Sequence, residues 1–225
     1  MASGGRNNRE GERRTPFLSY TVTVAGVLLV VLVWVLVAWP RGDSDQAENG
    51  PPQEEQRQEQ QEHQEQEVLA PPTEAEIEAA RQAGTVPVTL KTSRGDIELE
   101  LRGDLMPVTV ANFVKLARAD FYDGLTFHRV EDWVIQGGDP NGNGTGGPGY
   151  TINLETNPEL LNRVGAVAMA RSMDPNSAGS QFYILKEDAD WLDGQYAVFG
   201  RVVTGMEVVK SIQPGDQIED IIIED

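Results

Sequence analysis

The 225-residue chain contains no cysteine. That excludes a disulfide framework, a thiolate nucleophile, a cysteine-based metal site and a lipidated cysteine anchor. Histidine is nearly as scarce, with only His63 and His128 present. A histidine-rich metal centre and a Ser-His-Asp triad are both hard to assemble from that supply, so neither a metal nor a cofactor is expected. Basic charge is the third shortage: 18 Lys and Arg stand against 36 Asp and Glu, a formal net charge of -18. Nucleic acid is therefore not an expected partner, because a phosphate backbone is bound by clustered Lys and Arg. The acidity reads more simply as a solvated surface.

Uninterrupted apolar sequence is confined to one place. Residues 17–39, FLSYTVTVAGVLLVVLVWVLVAW, carry no charge. At about 1.5 Å of helix rise per residue they reach across a hydrocarbon core of about 30 Å. A cleaved signal peptide is the rival reading. Its apolar region is only about 7–15 residues long, and Val37-Ala38-Trp39 is a poor small-x-small cleavage site. The expectation is an uncleaved single-pass helix. Arg6, Arg9, Arg13 and Arg14 precede it, whereas Asp43, Asp45 and Glu48 follow Arg41. By the positive-inside rule residues 1–16 are a cytoplasmic tail, and everything after Pro40 lies outside the cytoplasm.

Residues 40–85 read as a Gln/Glu/Pro-rich linker. The run QEEQRQEQQEHQEQE offers almost nothing to bury, so ordering it would cost chain entropy without return, and a disordered tether is expected. It lacks an apolar a/d seam for pairing, and the chain is expected to be a monomer. His63 within it reads as a solvated polar residue. Thr73-x-x-Glu76 has the form of a capping box opening a short helix over 74–83, closed by Gly84.

A globular domain is expected over 86–225. In VPVTLKTSRGDIELELR, Ile97, Leu99 and Leu101 alternate with Glu98 and Glu100 after the Arg94-Gly95 turn, which predicts a hairpin. MPVTVANFVKLARADF places Val110, Phe113, Val114 and Ala117 on one helical stripe, with Pro107 suited to a first turn. Short strands follow at LTFHRV, WVIQG, YTINLE, GAVAMA, SQFYIL, YAVFGRVV and EDIIIED, with a short helix at MEVVKSI closed by Pro214-Gly215. Two helices among many short strands point to a closed antiparallel barrel and not to alternating βαβ units.

The loop GNGTGG at 142–147 matches G-x-G-x-x-G, a pattern associated with dinucleotide phosphates. That use requires a helix directly after the glycines, whose N-terminal N–H groups hold the phosphate. Here PGYTINLE follows, and it reads as another strand. A nucleotide-dependent redox enzyme is therefore disfavoured. The glycines fit a long turn that needs positive φ beside a groove.

FHRV, VIQGGDP, GNGTGG, MARSMDPNSAGSQFYI and WLDGQYAVFGRV, in this order and at these spacings, resemble the cyclophilin peptidyl-prolyl isomerases. DLMPVTVANFVKL resembles the first helix of that family. The resemblance covers residues 86–225. It implies a mainly β fold: an eight-stranded antiparallel barrel closed by two helices, with the active site on its outer face. Residue by residue, it implies that Arg129 is the catalytic arginine and Gln136 the glutamine of the IQGG motif. It also implies a substrate groove of Trp133, Val134, Ala170, Gln181, Tyr183, Trp191, Leu192 and Tyr196. Trp133, Val134 and Tyr183 stand where the family commonly has Phe, Met and Phe. Tyr196 stands where many members have His, and Arg171 replaces a frequent Asn. The chain is one residue shorter than the common pattern between Arg129 and Gln136, and one longer after Ala170.

The residue types suit the implied reaction. An X-Pro bond resists rotation by about 18–20 kcal/mol because of amide resonance. The twisted transition state loses that resonance, and its pyramidal nitrogen becomes a hydrogen-bond acceptor. A forked, permanently charged arginine aimed at it binds the transition state better than either planar state. No general base is needed, in keeping with the shortage of His. An apolar cup must hold the proline ring. In SQFYIL, Gln181 and Tyr183 share one strand face while Phe182 and Ile184 share the other, and Val134 and Gln136 share a face of WVIQ. Phe182 thus reads as core.

Without the surrounding motifs, Arg129 would read as a surface ion-pair partner, Trp191 as packing, His128 as a hydrogen-bonded core residue and Asp139 as a turn cap. Two readings of the domain stay open from the residues. One is an isomerase acting on proline-containing segments of proteins outside the cytoplasm. The other is a tethered proline-peptide-binding or chaperone module with little turnover.

Overall fold

A computed structural model describes residues 70–224. The expected tail, membrane span and Gln/Glu run, with His63, lie outside them. Among the described residues no helix is long and apolar enough to cross a membrane.

Helix α1 (Glu74–Ala83) opens with a complete capping box. Glu76 N–H donates to Thr73 Oγ1 at 3.3 Å, and Thr73 N–H donates to Glu76 Oε2 at 2.6 Å. This satisfies two of the donors that a helix start leaves without partners. The helix packs onto the domain: Ala80 is buried in the same core as the sheet, Ile77 packs against it, and Lys115 reaches Glu76 at 3.4 Å.

Strands β1 (Thr85–Thr92) and β2 (Gly95–Arg102) form the hairpin, with Val86, Val88 and Leu90 facing inward beside Ile97, Leu99 and Leu101. Helix α2 (Pro107–Arg118) starts at proline without a side-chain cap of its own. Glu155 supplies the cap from a distance, accepting from the N–H and hydroxyl of Thr109 at 2.9 and 2.8 Å. Then come β3 (Arg129–Val130), β4 (Val134–Gly137), β5 (Ala166–Met169), β6 (Phe182–Leu185), a 3-10 turn (Asp190–Leu192), β7 (Val198–Thr204), α3 (Met206–Ser211) and β8 (Ile218–Ile223).

The eight strands form one antiparallel sheet in the order β3-β4-β6-β5-β7-β2-β1-β8. The expected closed barrel needs correction here, because no ladder joins β3 to β8 among the described residues. The sheet curls instead, and its ends meet through irregular backbone bonds between 124–127 and 215–218. Gly124 N–H reaches Ile218 O and Ile218 N–H reaches Leu125 O, both at 2.8 Å, while Phe127 N–H reaches Asp216 O at 2.9 Å. Because residues 124–127 are engaged in this way, LTFHRV contributes only Arg129 and Val130 to a strand. YTINLE likewise yields one isolated bridge, Ile152 to Ala178. Its alternation is real, with Ile152 buried and Thr151 and Asn153 exposed. Its polar groups are drawn elsewhere: Leu154 N–H goes to the Asn176 side chain, and the Glu155 carboxylate goes to α2.

One face of the sheet and the inner stripe of α2 enclose the main core. Its centre is aromatic: Phe113 lies 5.2 Å from Tyr122, 5.5 Å from Phe182 and 5.2 Å from Phe199, centroid to centroid. The opposite face carries a second, smaller apolar cluster of Val134, Ala166, Ala168, Tyr183, Leu185, Ala189 and Val198. Strand alternation produces both, since Ile135, Phe182 and Ile184 turn to the first while Val134, Tyr183 and Leu185 turn to the second.

Candidate active site

The second cluster is the floor of the candidate site. Val134 and Tyr183 are buried in it, and Trp133, Ala170, Leu192 and Tyr196 stand half-buried around it. Trp191 sits outside the ring, 61% exposed, with its indole edge-on to Trp133 at 5.8 Å. Phe182 belongs to the main core.

A polar row borders this cup. The register places Arg129 opposite Gln136, Gln136 opposite Tyr183, and Tyr183 opposite Ala168. Arg129 Nη1 donates to Gln136 Oε1 at 3.2 Å, Gln136 Nε2 to Gln181 Oε1 at 2.9 Å, and Gln181 Nε2 to Gly146 O at 2.9 Å. All ten residues singled out in the sequence therefore converge on one side of the sheet.

Several members of the site are not among the residues singled out in the sequence. Glu131 accepts from Arg129 Nε at 2.7 Å and from Trp133 Nε1 at 2.8 Å. The guanidinium also lies 5.3 Å from the Trp133 ring centroid. The Arg129 bond holds the Glu131 carboxyl below its ordinary pKa. Arg129 is thus both an ion-pair partner and a groove residue. Behind the cup, Tyr183 hydroxyl donates to Oδ1 of the buried Asn162 at 2.7 Å, and Asn162 in turn donates its N–H to Asp193 at 2.7 Å. Burial pushes the Tyr183 pKa far up, so the phenol stays protonated. Asn162 lies 21 residues from Tyr183 in an irregular segment, beyond any periodic pattern.

The glycine loop resolves around Asp139, which is 1% exposed. Its carboxylate accepts from the N–H groups of Asn141, Asn143, Gly144 and Gly146. Burial alone would raise its pKa, but the four donors outweigh that and lower it. Gly142 and Gly144 adopt φ of 63° and 88°. A Cβ on Gly146 would lie 2.2 Å from Asp139 Oδ1. The loop therefore cradles an anion, but the anion is its own side chain. The His128 ring lies beside the glycine loop, its Nε2 3.9 Å from where a Cβ on Gly144 would stand. It is half-buried, its Nδ1 has no partner, and burial lowers its pKa. The expected hydrogen bond of a core histidine is absent at that atom among the described residues.

Comparison with known proteins identifies the family. The family model described as Cyclophilin type peptidyl-prolyl cis-trans isomerase/CLD matches residues 87–224. The chain belongs to this family. Peptidyl-prolyl cis-trans isomerase B of Bacillus subtilis is 49% identical over 131 residues, 57% of this chain and 90% of the relative. A peptidyl-prolyl cis-trans isomerase of Helicobacter pylori is 43% identical over 152 residues, 65% of this chain and 92% of the relative. A solved cyclophilin-type isomerase of Cryptosporidium parvum, determined in the presence of the dipeptide Ala-Pro, matches with a TM-score of 0.58 at 32% identity. The match covers 62% of this chain and 99% of that one. The cyclophilin domain is thus a peptidyl-prolyl cis-trans isomerase, and this favours the isomerase over the binding or chaperone module with little turnover. The curled eight-stranded sheet with its flanking helices is the cyclophilin fold.

Proposed function

We propose that the cyclophilin domain isomerises X-Pro bonds by holding the proline ring in the cup of Val134, Tyr183, Leu192 and Trp133 while Arg129 donates to the twisted amide. The observation that carries this reading is the hydrogen-bonded row Arg129–Gln136–Gln181 running along the rim of that cup. Two bonds fix the arginine: Nε donates to Glu131 and Nη1 donates to Gln136. Such a preset donor loses little freedom when the amide nitrogen becomes pyramidal, which is how electrostatic preorganisation lowers a barrier. Gln136 and Gln181 offer further amide groups to the substrate backbone. Rotation takes roughly tens to hundreds of seconds unassisted. A 10⁴-fold acceleration corresponds to about 5–6 kcal/mol at ~1.4 kcal/mol per decade. One well-positioned cationic donor, partly exposed in the free domain and shielded from water once a peptide lies over it, supplies that order of stabilisation. An isomerisation assay on an Ala-Pro peptide with the full chain tests the reading: it requires acceleration that saturates with peptide, and binding without acceleration would overturn it.

The substrates are proposed to be proline-containing segments of proteins outside the cytoplasm. The uncharged residues 17–39 and their Arg-rich N-terminal flank support a single-pass anchor with the domain beyond it. A reporter fused after Asp225 should behave as extracytoplasmic, and carbonate washing should leave the protein in the membrane. Release of a soluble form beginning near Pro40 would contradict the anchor.

A further inference from the structure

Two departures from the family pattern, Arg171 and Tyr196, touch each other. The Arg171 guanidinium lies 4.5 Å from the Tyr196 ring centroid, and that ring stands edge-on to Tyr183, on the cup floor, at 5.9 Å. Arg171 directly follows Ala170, which packs on the cup and donates its N–H to Gln181 O at 2.8 Å. A chain of contacts therefore runs from the guanidinium through Tyr196 to the proline pocket. Arg171 is fixed as well as close: Nε donates to Gln195 O at 2.9 Å and Nη1 to Ser172 O at 2.8 Å.

Both acceptors are neutral carbonyls. The other arginine at the cup, Arg129, is ion-paired with Glu131, whereas Arg171 pairs with no carboxylate among the described residues. Two acidic residues flank its contacts, Asp174 three residues on and Asp193 two residues before Gln195, and both are engaged elsewhere. Asp174 accepts from Asn176 N–H at 2.9 Å, and Asp193 is taken by Asn162 and Arg163. An arginine has five N–H groups, and only two bonds are made among the described residues. The result is an immobilised, uncompensated cation with spare donors at the edge of the groove, on a chain of net charge -18.

We propose that Arg171 is a specificity-determining residue that selects prolyl substrates carrying a carboxylate within two residues of the proline. The proposal rests on the isomerase reading of the same cup. A peptide with Asp or Glu at the matching position meets the free N–H groups of a guanidinium already held against Tyr196, so little side-chain freedom is lost on pairing. A Lys at that position meets like charge. Neutral residues lose the contact without repulsion.

The test is a set of X-Pro peptides with Glu, Gln or Lys placed in turn at each of the two residues before and the two after proline. kcat/KM is measured with the full chain and with its Arg171→Asn, Arg171→Lys and Arg171→Glu variants. At one or more positions the wild-type chain should favour Glu over Lys by about fivefold or more, the order expected of a partly exposed pair. The preference should collapse toward one in Arg171→Asn, persist in part in Arg171→Lys, and invert in Arg171→Glu. It should also fade in 1 M salt, where the screening length is about 3 Å. If Arg171 merely braced its loop through the Gln195 and Ser172 carbonyls, the variants would lower kcat/KM for all peptides alike and leave the Glu/Lys ratio unmoved. That result, or a wild-type ratio within twofold at every position, overturns the proposal while leaving the isomerase reading intact. Absence of acceleration on any peptide would instead remove the isomerase reading.

Discussion

Replacing Asp139 by Ala takes away the centre of the glycine loop. Four backbone N–H groups lose one acceptor, at 2.9 Å from Asn141 and Asn143 and 2.8 Å from Gly146, with Gly144 closest. Hydrogen bonds to a charged group are worth about 1.5–3 kcal/mol each. Their sum overstates the loss, because Asn141, Asn143 and Gly144 are exposed and water can take over their N–H groups. Only Gly146 is partly withdrawn from solvent, so a destabilisation of about 2–4 kcal/mol is expected. For a domain of this size that is a drop in Tm of roughly 5–15 °C. Activity should fall with it, because the Gly146 carbonyl holds Gln181, which holds Gln136, which holds Arg129. The assay is thermal unfolding by circular dichroism at several pH values, alongside peptide isomerisation below the transition. The sign of the pH dependence follows from the depressed pKa. The contribution is complete above the unfolded value of about 3.9 and is lost as pH falls through the lower folded value. The gap between wild type and Asp139→Ala should therefore stay constant from pH 8 to 5 and narrow only in stronger acid. A Tm change under about 1 °C at neutral pH would refute the claim that this carboxylate organises the loop.

Gly146→Ala should damage the same loop without touching charge, since its Cβ would stand 2.2 Å from Asp139 Oδ1 and 3.0 Å from Asn141; a melting curve like wild type would contradict the cradle geometry. Tyr183→Phe leaves the ring in the cup but strands the Asn162 oxygen, so stability should fall by about 1–3 kcal/mol while kcat/KM changes little. A large loss of activity with unchanged stability would assign the hydroxyl a chemical role. Deleting residues 46–67 should leave the domain's melting temperature unchanged, because that run has almost no apolar side chains to bury; a clear loss would show that it packs on the domain.

Much of the architecture was legible because alternation and helical periodicity are properties of neighbouring residues. The buried stripe of α2 and the opposed faces of β4 and β6 follow from that spacing. What escaped is decided by partners distant in sequence. The alternation of YTINLE gave no sign that Glu155 would cap α2, or that LTFHRV would spend its first three residues on 215–218 before joining a strand. The spacing of Asp139 after two glycines points only to a local turn cap, whereas its carboxylate gathers N–H groups as far as Gly146, whose carbonyl holds Gln181. Asn162 had no pattern at all. Glu131 lay two residues from Arg129, and its pairing was within reach of strand periodicity, since positions i and i+2 share a face. The decoy glycine motif was rejected on its missing helix, and the structure adds the physical reason that its N–H groups converge on a carboxylate of the chain itself.

The central claim is that Arg129 stabilises the twisted amide. The most direct test is kcat/KM of Arg129→Ala on an Ala-Pro peptide, with folding checked by an unchanged melting curve. The side chain is 42% exposed, ion-paired with the surface Glu131 and hydrogen-bonded to the half-buried Gln136, so the fold should survive its removal. The account predicts a loss of at least about tenfold, reaching toward the ~10²–10³ typical of a deleted transition-state donor, with peptide affinity reduced far less than turnover. Arg129→Lys should recover only part of the rate, because the charge returns without the fork. Wild-type kcat/KM in a folded Arg129→Ala protein would contradict the account.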